Sequence, residues 1–270
     1  MNFFRSSKPI ELPKHNCVLP HALRVPSLEK LVGKRVVLAS NSPRRKEILR
    51  TVGLEPEIVP STFEEDLSHG QFEDLHEYPV ATATHKAVEV YQRLVSESPE
   101  DSPDLVIAAD TVVLTHPPPG LDSVPFEHEG SVHQEVLEKP SSKQDNLRML
   151  LDLNCAICEV VTGVSLVYPV LEAPGYKIKS LDERTLVHFA DNPKELLEAY
   201  ANSGEGVDRA GGFAVQVPKC ECLCSSIQGL GGLLIRKVDG DYQNVVGFPV
   251  ASFFKFLEVL CEEEDDFLEV

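Results

Sequence analysis

The chain has 270 residues and combines 43 acidic with 25 basic side chains, so its formal net charge is -18 at pH 7. A charge of this size repels nucleic-acid backbones and anionic membrane surfaces, and we expect neither as a partner. The length allows a large core, no apolar run is long enough to cross a bilayer, and the seven cysteines follow no disulfide framework. These features predict a reduced, soluble, cytoplasmic protein.

Composition divides the chain into three predicted regions. Residues 1–33 carry scattered prolines and little periodicity, which favours a loosely ordered extension. Residues 34–262 carry most of the strand and helix signals, and the length allows one large domain or two small ones. Residues 263–270 are predicted to be a solvated acidic tail. Three stretches within the domain are interpreted as inserts: 116–136, 171–181 and 217–228.

The first predicted unit is a strand, a tight turn and a helix. A β-branched run at Val36-Val37-Leu38 precedes Ser42, which suits a helix N-cap, and Pro43, which suits the first helical position. Three cations follow at residues 44–46, where the helix dipole favours negative charge instead. Free backbone N–H groups, serine hydroxyls and cations together suit a phosphate. A surface helix whose cations point to water is the alternative.

An acidic loop comes next, after a short strand predicted at residues 57–59. Glu64, Glu65 and Asp66 repel one another unless a cation lies among them, and their hard oxygen ligands suit Mg²⁺ or Mn²⁺. The alternative is a solvated charged loop. The helix predicted at 79–97 carries Lys86 beside its apolar stripe, where a lysine either extends to solvent or reaches into a cleft.

The strongest strand signal runs through residues 104–111 and is apolar on both faces until Asp110. This pattern predicts a central strand with Asp110 at its carboxyl end, which is where α/β sheets place their chemistry. A strand-ending Asx turn is the alternative. The strand signal resumes at 112–114.

The second half of the chain continues to alternate. The glycine-rich stretch at 203–216 would let a backbone approach a ligand closely, and Asp208 and Arg209 within it either pair with each other or face a substrate. The remaining elements are predicted in this order: a helix at 142–151, strands at 155–168 and 184–190, a helix at 192–202, a strand at 231–238 and a helix from 249.

Seven short motifs follow one another along the chain: Leu38-Ala39-Ser40-x-Ser42-Pro43-Arg44-Arg45, Glu64-Glu65, Lys86-Ala87, Ala109-Asp110-Thr111, Glu138-Lys139-Pro140, Asp208-x-Ala210-Gly211, and Lys237-x-Asp239-Gly240-x-Tyr242 followed by Gly247-x-Pro249. In this order they resemble the motifs of the Maf family of nucleotide pyrophosphatases, over about residues 34–260. The order of all seven is far more specific than any one of them. The resemblance implies an α/β fold with an elongated, bent mixed sheet, flanking helices, and two lobes around a deep nucleotide-binding cleft, in a family where homodimers are common.

The resemblance also implies an activity, the hydrolysis of a nucleoside triphosphate to the monophosphate and pyrophosphate with Mg²⁺ or Mn²⁺. Asp110 is then the proton acceptor, and Arg44 and Thr111 mark the subgroup that acts on dTTP and UTP. The expected metal ligands are Glu64, Glu65 and Asp110. The expected substrate-binding residues are Ser40, Arg44, Arg45, Lys86, Thr111, Lys139, Asp208 and a glutamine after the glycine segment.

Two departures from the family pattern leave alternatives open. Arg209 stands where the family usually has lysine, and the insert at 217–228 interrupts the glycine segment, so either Gln216 or Gln228 could be the base-reading glutamine. We interpret the insert as a lineage-specific loop or an unspliced short intron. The alternatives to a dTTP/UTP enzyme are a pyrophosphatase for N7-methyl-GTP or another modified nucleotide, and a nucleotide-binding regulator that the insert has disabled.

Overall fold

A computed structural model describes residues 14–116, 134–215, 230–264 and 266–269. The strands in these ranges are β1 (Val36–Leu38), β2 (Glu57–Ile58), β3 (Leu105–Thr115), β4 (Val136–Leu137), β5 (Ile157–Pro169), β6 (Tyr176–Phe189) and β7 (Ile235–Asp239). The helices are α1 (Pro26–Glu29), α2 (Pro43–Thr51), α3 (Glu77–Glu97), α4 (Lys143–Leu153), α5 (Lys194–Ser203), α6 (Tyr242–Val246) and α7 (Val250–Glu263). Short 3₁₀ turns lie at His69–Gln71, Pro99–Asp101, Ala210–Gly212 and Leu230–Leu234.

The strands form one mixed sheet in the order β2-β1-β3-β5-β6-β7, with β4 also paired to β3. β1 runs parallel to β2 and β3, whereas β3, β5, β6 and β7 are successively antiparallel. β5 pairs with one edge of β3 from Val106 to Thr115. β1 and β4 therefore both pair with the opposite edge of β3. Leu38 of β1 pairs with Ile107, and the pairing with β4 begins only at Val113. The described strands therefore leave residues 108–112 of β3 open on that side.

Helices cover both faces of this sheet, which confirms the predicted α/β class. α3 buries Ala83, Ala87 and Val90 against one face, and α7 buries Phe253 and Leu257 against the other. A separate apolar cluster, which includes side chains of α4 and α5, packs against the carboxyl-terminal end of β3 and the start of β5. The open stretch of β3 thus lies between two groups of core side chains. No helix in the described ranges has the length and apolar character to span a membrane.

The loop predicted for the insert at 171–181 is wrong over most of its length. β6 begins at Tyr176, and residues 176–181 pair with the end of β5. The turn signal of Pro174 and Gly175 marks only the reversal between two long strands. Beyond it, Lys177 and Lys179 form ion pairs with the C-terminal segment.

Both ends of the chain also pack more tightly than predicted where they are described. Leu28 and Leu31 are buried in the same core as α7, so residues 14–33 are not loosely held. Phe267 is 1% exposed and meets Tyr168 edge-on at 4.9 Å, so the acidic residues around it are not a free tail. The apolar residues in these two segments are few and stand among charged neighbours, so the sequence pattern did not predict that they are buried.

Smaller differences concern the last third of the chain. The strand predicted at 231–238 begins only at Ile235, because a 3₁₀ turn occupies Leu230–Leu234. The short helix α6, which the sequence analysis missed, precedes α7. Of the other predicted inserts, 117–133 of the first and all of 217–228 lie outside the described residues.

Candidate active site

The candidate site forms where β3 loses its neighbour on one side. Asp110 does not end the strand as predicted, because β5 pairs with β3 from Val106 to Thr115. It lies just past the carboxyl end of the parallel strand β1, which stops opposite Ile107. The change from apolar to polar residues at Asp110 therefore marks the end of the neighbouring strand. Polar side chains tend to gather at such a break in an α/β sheet, because it leaves a crevice.

Lys86 reaches from α3 to this break and joins two carboxylates. Its Nζ lies 2.8 Å from Oδ1 of Asp110 and 2.7 Å from Oε1 of Glu65. Lys86 and Asp110 are each only 8% exposed, so these charges face each other largely out of water. Burial would raise the pKa of Glu65, but the hydrogen bond and charge of Lys86, with Lys139 and Arg45 behind it, lower that pKa overall. Three of the predicted residues are thus in one cluster.

Arg45 closes the other side of the break and is tied to three segments. Its Nε donates to the carbonyl oxygen of Gly247 at 2.9 Å, Nη1 to Oγ of Ser40 at 3.3 Å, and Nη2 to Oγ1 of Thr111 at 3.0 Å. Burial lowers the pKa of Arg45, whereas the nearby charges of Asp110 and Glu65 raise it. The guanidinium fork therefore fixes the first turn of α2 against β3 and the turn before α7.

The N-terminus of α2 offers an unsatisfied donor beside this fork. Nη1 of Arg44 is buried and has no hydrogen-bond partner. Ser42 occupies the predicted N-cap position, but its side chain accepts no helix N–H; instead its own N–H donates to Oγ of Ser40 at 3.2 Å. A buried guanidinium nitrogen without a partner is costly, so an acceptor supplied by a ligand would stabilise it. The phosphate-binding role of this cation-rich helix start stays a prediction.

The remaining predicted residues lie further from this cluster. Glu64, Lys139 and Asp208 are exposed, although the charge of Lys139 acts on the Glu65 carboxyl. Arg209 is half-buried, its Nε has no hydrogen-bond partner, and burial lowers its pKa. Asp208 and Arg209 form no ion pair in the described structure. Gln216 and Gln228, and with them the choice of base-reading glutamine, lie outside the described residues.

The predicted metal ligands are brought together only in part. Within the described ranges no three His, Cys, Asp or Glu side chains are grouped so that they could hold a metal ion. Glu65 and Asp110 nevertheless meet at Lys86, while Glu64 is exposed on the loop. Mg²⁺ is commonly bound by one or two carboxylates together with substrate phosphates. The pair Glu65 and Asp110 fits that chemistry, and the triad does not form.

Two partners of the site were missed in the sequence. The carbonyl oxygen of Gly247 accepts from Arg45, and Thr162 of β5 shares a hydrogen bond of 2.9 Å with Thr111. Gly247 has a φ of 124°, which favours glycine and turns its carbonyl toward the site. The Gly-x-Pro motif signalled the turn, but nothing local indicated its distant partner.

Comparison with known proteins gives a family match and several curated relatives. The model of the family described as Maf-like protein matches residues 35–260. A human protein named "Probable bifunctional dTTP/UTP pyrophosphatase/methyltransferase protein" is 41% identical over 234 residues, which is 86% of this chain and 33% of the human one. This chain therefore spans about a third of that relative.

Two other relatives match over nearly their whole length. The protein named dTTP/UTP pyrophosphatase in Schizosaccharomyces pombe is 38% identical over 242 residues, or 87% of this chain and 88% of the relative. A protein of the same name in Thermococcus kodakarensis is 34% identical over 224 residues, or 83% and 96% of the two chains. The family match covers the site from β1 to α7, and the chain therefore belongs to the Maf-like protein family.

Proposed function

We propose that this protein is a nucleoside triphosphate pyrophosphatase that hydrolyses dTTP and UTP to the monophosphate and pyrophosphate. The observation that carries the proposal is the ion-paired cluster at the break in the sheet, in which the buried Lys86 joins the buried Asp110 to Glu65, with Arg45 beside it. Two relatives that align with this chain over most of their own length are named dTTP/UTP pyrophosphatase. The protein is then a hydrolase of the acid-anhydride class.

Phosphate binding falls to the cations around the break. Arg44 has a buried nitrogen free for an acceptor, Arg45 is already oriented by its three hydrogen bonds, and Lys86 is buried at the cluster. Lys139 approaches from the segment after β4. Phosphoryl transfer depends mainly on positioning and charge neutralisation, and a set of fixed cations supplies both.

Asp110 is the proposed proton acceptor. Lys86 holds its Oδ1, which leaves Oδ2 to take a proton from water as that water attacks the α-phosphorus. The new bond joins the water oxygen to the α-phosphorus, and the bond from that phosphorus to the bridging oxygen breaks and releases pyrophosphate. Glu65 and Asp110 would hold Mg²⁺ or Mn²⁺, which would supply further charge neutralisation at the phosphates.

Arg44 and Thr111 are the residues proposed to make the site prefer a nucleotide with a pyrimidine base. Thr111 is held by Arg45 and Thr162, so its hydroxyl lies at a fixed place on the wall of the site. A base that reaches this wall meets a preset hydrogen-bonding pattern, and such patterns discriminate strongly against mismatched groups.

The test is pyrophosphate release by the wild type and by Asp110→Asn with dTTP, UTP and N7-methyl-GTP, each with Mg²⁺, with Mn²⁺ and with a chelator. We expect turnover of dTTP and UTP that the chelator abolishes and that Asp110→Asn lowers by about 10² to 10⁴-fold. Asp191→Asn is the matched control, since Asp191 is exposed and away from the site. Wild-type turnover no higher than that of Asp110→Asn would refute the proposal that the protein is an enzyme. A preference for N7-methyl-GTP would refute the proposal that its substrates are dTTP and UTP.

A further inference from the structure

The acidic loop that carries Glu65 is fastened along one stripe of α3. His85, Glu89 and Arg93 are spaced by four residues, so their side chains lie on one face of the helix. Residues 60–65 run antiparallel to the helix over this stripe. Lys86 lies on the neighbouring face and points to β3.

Glu89 makes the central attachment. Its Oε2 accepts from Oγ of Ser61 at 2.7 Å and from the backbone N–H of Thr62 at 3.0 Å, and its Oε1 accepts from Oγ1 of Thr62 at 3.0 Å. Arg93 donates from Nε to the same Oε1 at 2.7 Å. Burial opposes ionisation, but these donors outweigh it and lower the pKa of Glu89 to about 2. The carboxylate is therefore charged at any working pH.

Contacts on either side of Glu89 extend the attachment. Nη2 of Arg93 donates to the carbonyl oxygen of Pro60 at 2.8 Å. The ring of Phe63 stacks on that of His85, with centroids 4.9 Å apart and planes 6° from parallel. The backbone N–H of Phe63 donates to Oγ of Ser61 at 3.0 Å, which makes a tight local turn. The loop is thus held at three successive turns of the helix before it reaches Glu65.

We propose that Glu89 is a positioning residue for the reaction: it sets the register of the acidic loop so that Glu65, and not Glu64 or Asp66, meets Lys86 and Asp110. The proposal rests on the function proposed above. Glu89 itself accepts no hydrogen bond from Lys86 and lies one helical turn beyond it, so it acts only through the loop. Phe63 and His85 assist by fixing the residue two before Glu65.

Register matters here because three carboxylates are adjacent in the sequence. A slip of one residue would offer Lys86 a different carboxylate from a different direction. Misplacement by about 1 Å can cost about 10²-fold in rate, whereas the cations that bind phosphate would remain in place. Loss of Glu89 should therefore lower kcat and leave KM almost unchanged.

The experiment compares Glu89→Ala with Glu97→Ala, an equal charge change at the exposed last residue of α3. We expect kcat for dTTP to fall about 10- to 100-fold in Glu89→Ala, with KM within about threefold, and to stay unchanged in the control. The decisive measurement adds Glu65→Gln. If Glu89 acts through Glu65, the double variant is no slower than Glu65→Gln alone. If the two effects multiply, the positioning role is refuted.

A second measurement does not depend on activity. Lys86 is buried beneath Glu65, so release of the loop should increase its reaction with an amine-specific acylating reagent, measured by mass spectrometry relative to Lys255 on α7. Increased labelling in Glu89→Ala but not in Glu97→Ala supports the attachment even if the proposed function fails. Equal labelling in both variants refutes it.

Should Glu89→Ala fail to fold, Thr62→Val provides the same test, because it removes one hydroxyl donor and leaves the helix intact. Glu89→Gln is the conservative variant. It keeps an oxygen acceptor for Thr62 or Ser61 but loses the charge, so it should recover part of the lost kcat and show intermediate labelling of Lys86. Labelling of Lys86 as high and kcat as low as in Glu89→Ala would show that the charge of Glu89, and not its hydrogen bonds, holds the loop. No difference between Thr62→Val and wild type would refute the role of the loop contacts.

Discussion

Arg45 shows how a single side chain can connect parts of the chain that lie far apart in sequence. Its three hydrogen bonds go to the turn after β1, to the middle of β3 and to the turn before α7. Only a planar fork of donors reaches all three, and an ammonium group cannot. The role of Arg45 in the site therefore depends on its shape as well as its charge.

We predict that Arg45→Lys lowers kcat/KM for dTTP by about tenfold or more, because the charge is kept while the fork is lost. Steady-state kinetics of pyrophosphate release measure the effect. Arg50→Lys is the control on the same helix, since the side chain of Arg50 is exposed and pairs at the surface with Glu55, 3.5 Å from its Nε. If Arg45→Lys retains kcat/KM within about twofold, the charge alone suffices and this account of the fork is wrong.

At the residue scale, what could be predicted was local. The cations at the start of α2 and the lysine beside the stripe of α3 stand out within ten residues of sequence, and both reach the site. The acceptor of Arg45 at Gly247 lies 202 residues away, and no local pattern connects the two. Ser42 shows the opposite error: it occupies the N-cap position but its hydroxyl does not cap the helix.

At the scale of elements, α3 carries much of the site, because it delivers Lys86 to one side of the break and fastens the acidic loop on another. Its approach to the sheet depends on Gly163 of β5, where an added Cβ would lie 2.4 Å from the backbone nitrogen of Val80 and 2.5 Å from the carbonyl carbon of Pro79. Backbone atoms cannot move aside as a flexible side chain would. A larger residue at this position must displace the helix.

We predict that Gly163→Ala lowers the free energy of unfolding by about 1–3 kcal/mol, the usual cost of overpacking. It should also lower kcat, since moving α3 changes the distance between Lys86 and Asp110. Urea denaturation and pyrophosphate release measure the two effects. Gly70→Ala is the control, because the nearest atom to its added Cβ is a serine oxygen at 3.8 Å. Equal stability of the two variants would contradict the proposed contact.

Element predictions succeeded where periodicity was strong and failed where pairing decided. The stripe of α3 and the apolar run of β3 were recognised from sequence, with boundaries within a few residues. The first residues of β6 were not, because only the register with β5 makes a strand of a segment that follows Pro174-Gly175. Asp110 was predicted at the end of its own strand for a similar reason. β3 continues past Asp110, and it is the neighbouring strand β1 that ends just before this position, opposite Ile107.

The whole molecule combines a strongly acidic chain with a cationic site. The net charge of -18 would repel a nucleoside triphosphate at long range, so binding has to rely on the few cations gathered at the break in the sheet. These cations come from both faces of the sheet: α3 carries Lys86 on one face, and α2 carries Arg44 and Arg45 on the other. The sheet therefore determines the site mainly by leaving part of β3 open.

Acidic groups with lowered pKa values also govern how the stability of the whole molecule depends on pH. Hydrogen bonds from Lys14 and His15 lower the pKa of Asp101 to about 2, and those from Arg93, Ser61 and Thr62 lower that of Glu89 to about 2. Carboxyl groups in an unfolded chain have a pKa of about 4. The unfolded chain therefore takes up protons first as pH falls, so the stability from both groups is full above about pH 5 and is lost toward pH 2.

We predict that the free energy of unfolding, measured by urea denaturation, falls as pH is lowered from 5 toward 2, and that Glu89→Gln weakens this dependence. Glutamine does not titrate, so the variant loses the contribution of Glu89 to the slope and is less stable than wild type chiefly above pH 5. Glu97→Gln removes an exposed carboxyl and should keep the wild-type slope. If Glu89→Gln and Glu97→Gln follow the same pH curve, Glu89 does not hold its charge through the loop contacts, and the attachment of the acidic loop to α3 contributes nothing measurable to the stability of the folded chain.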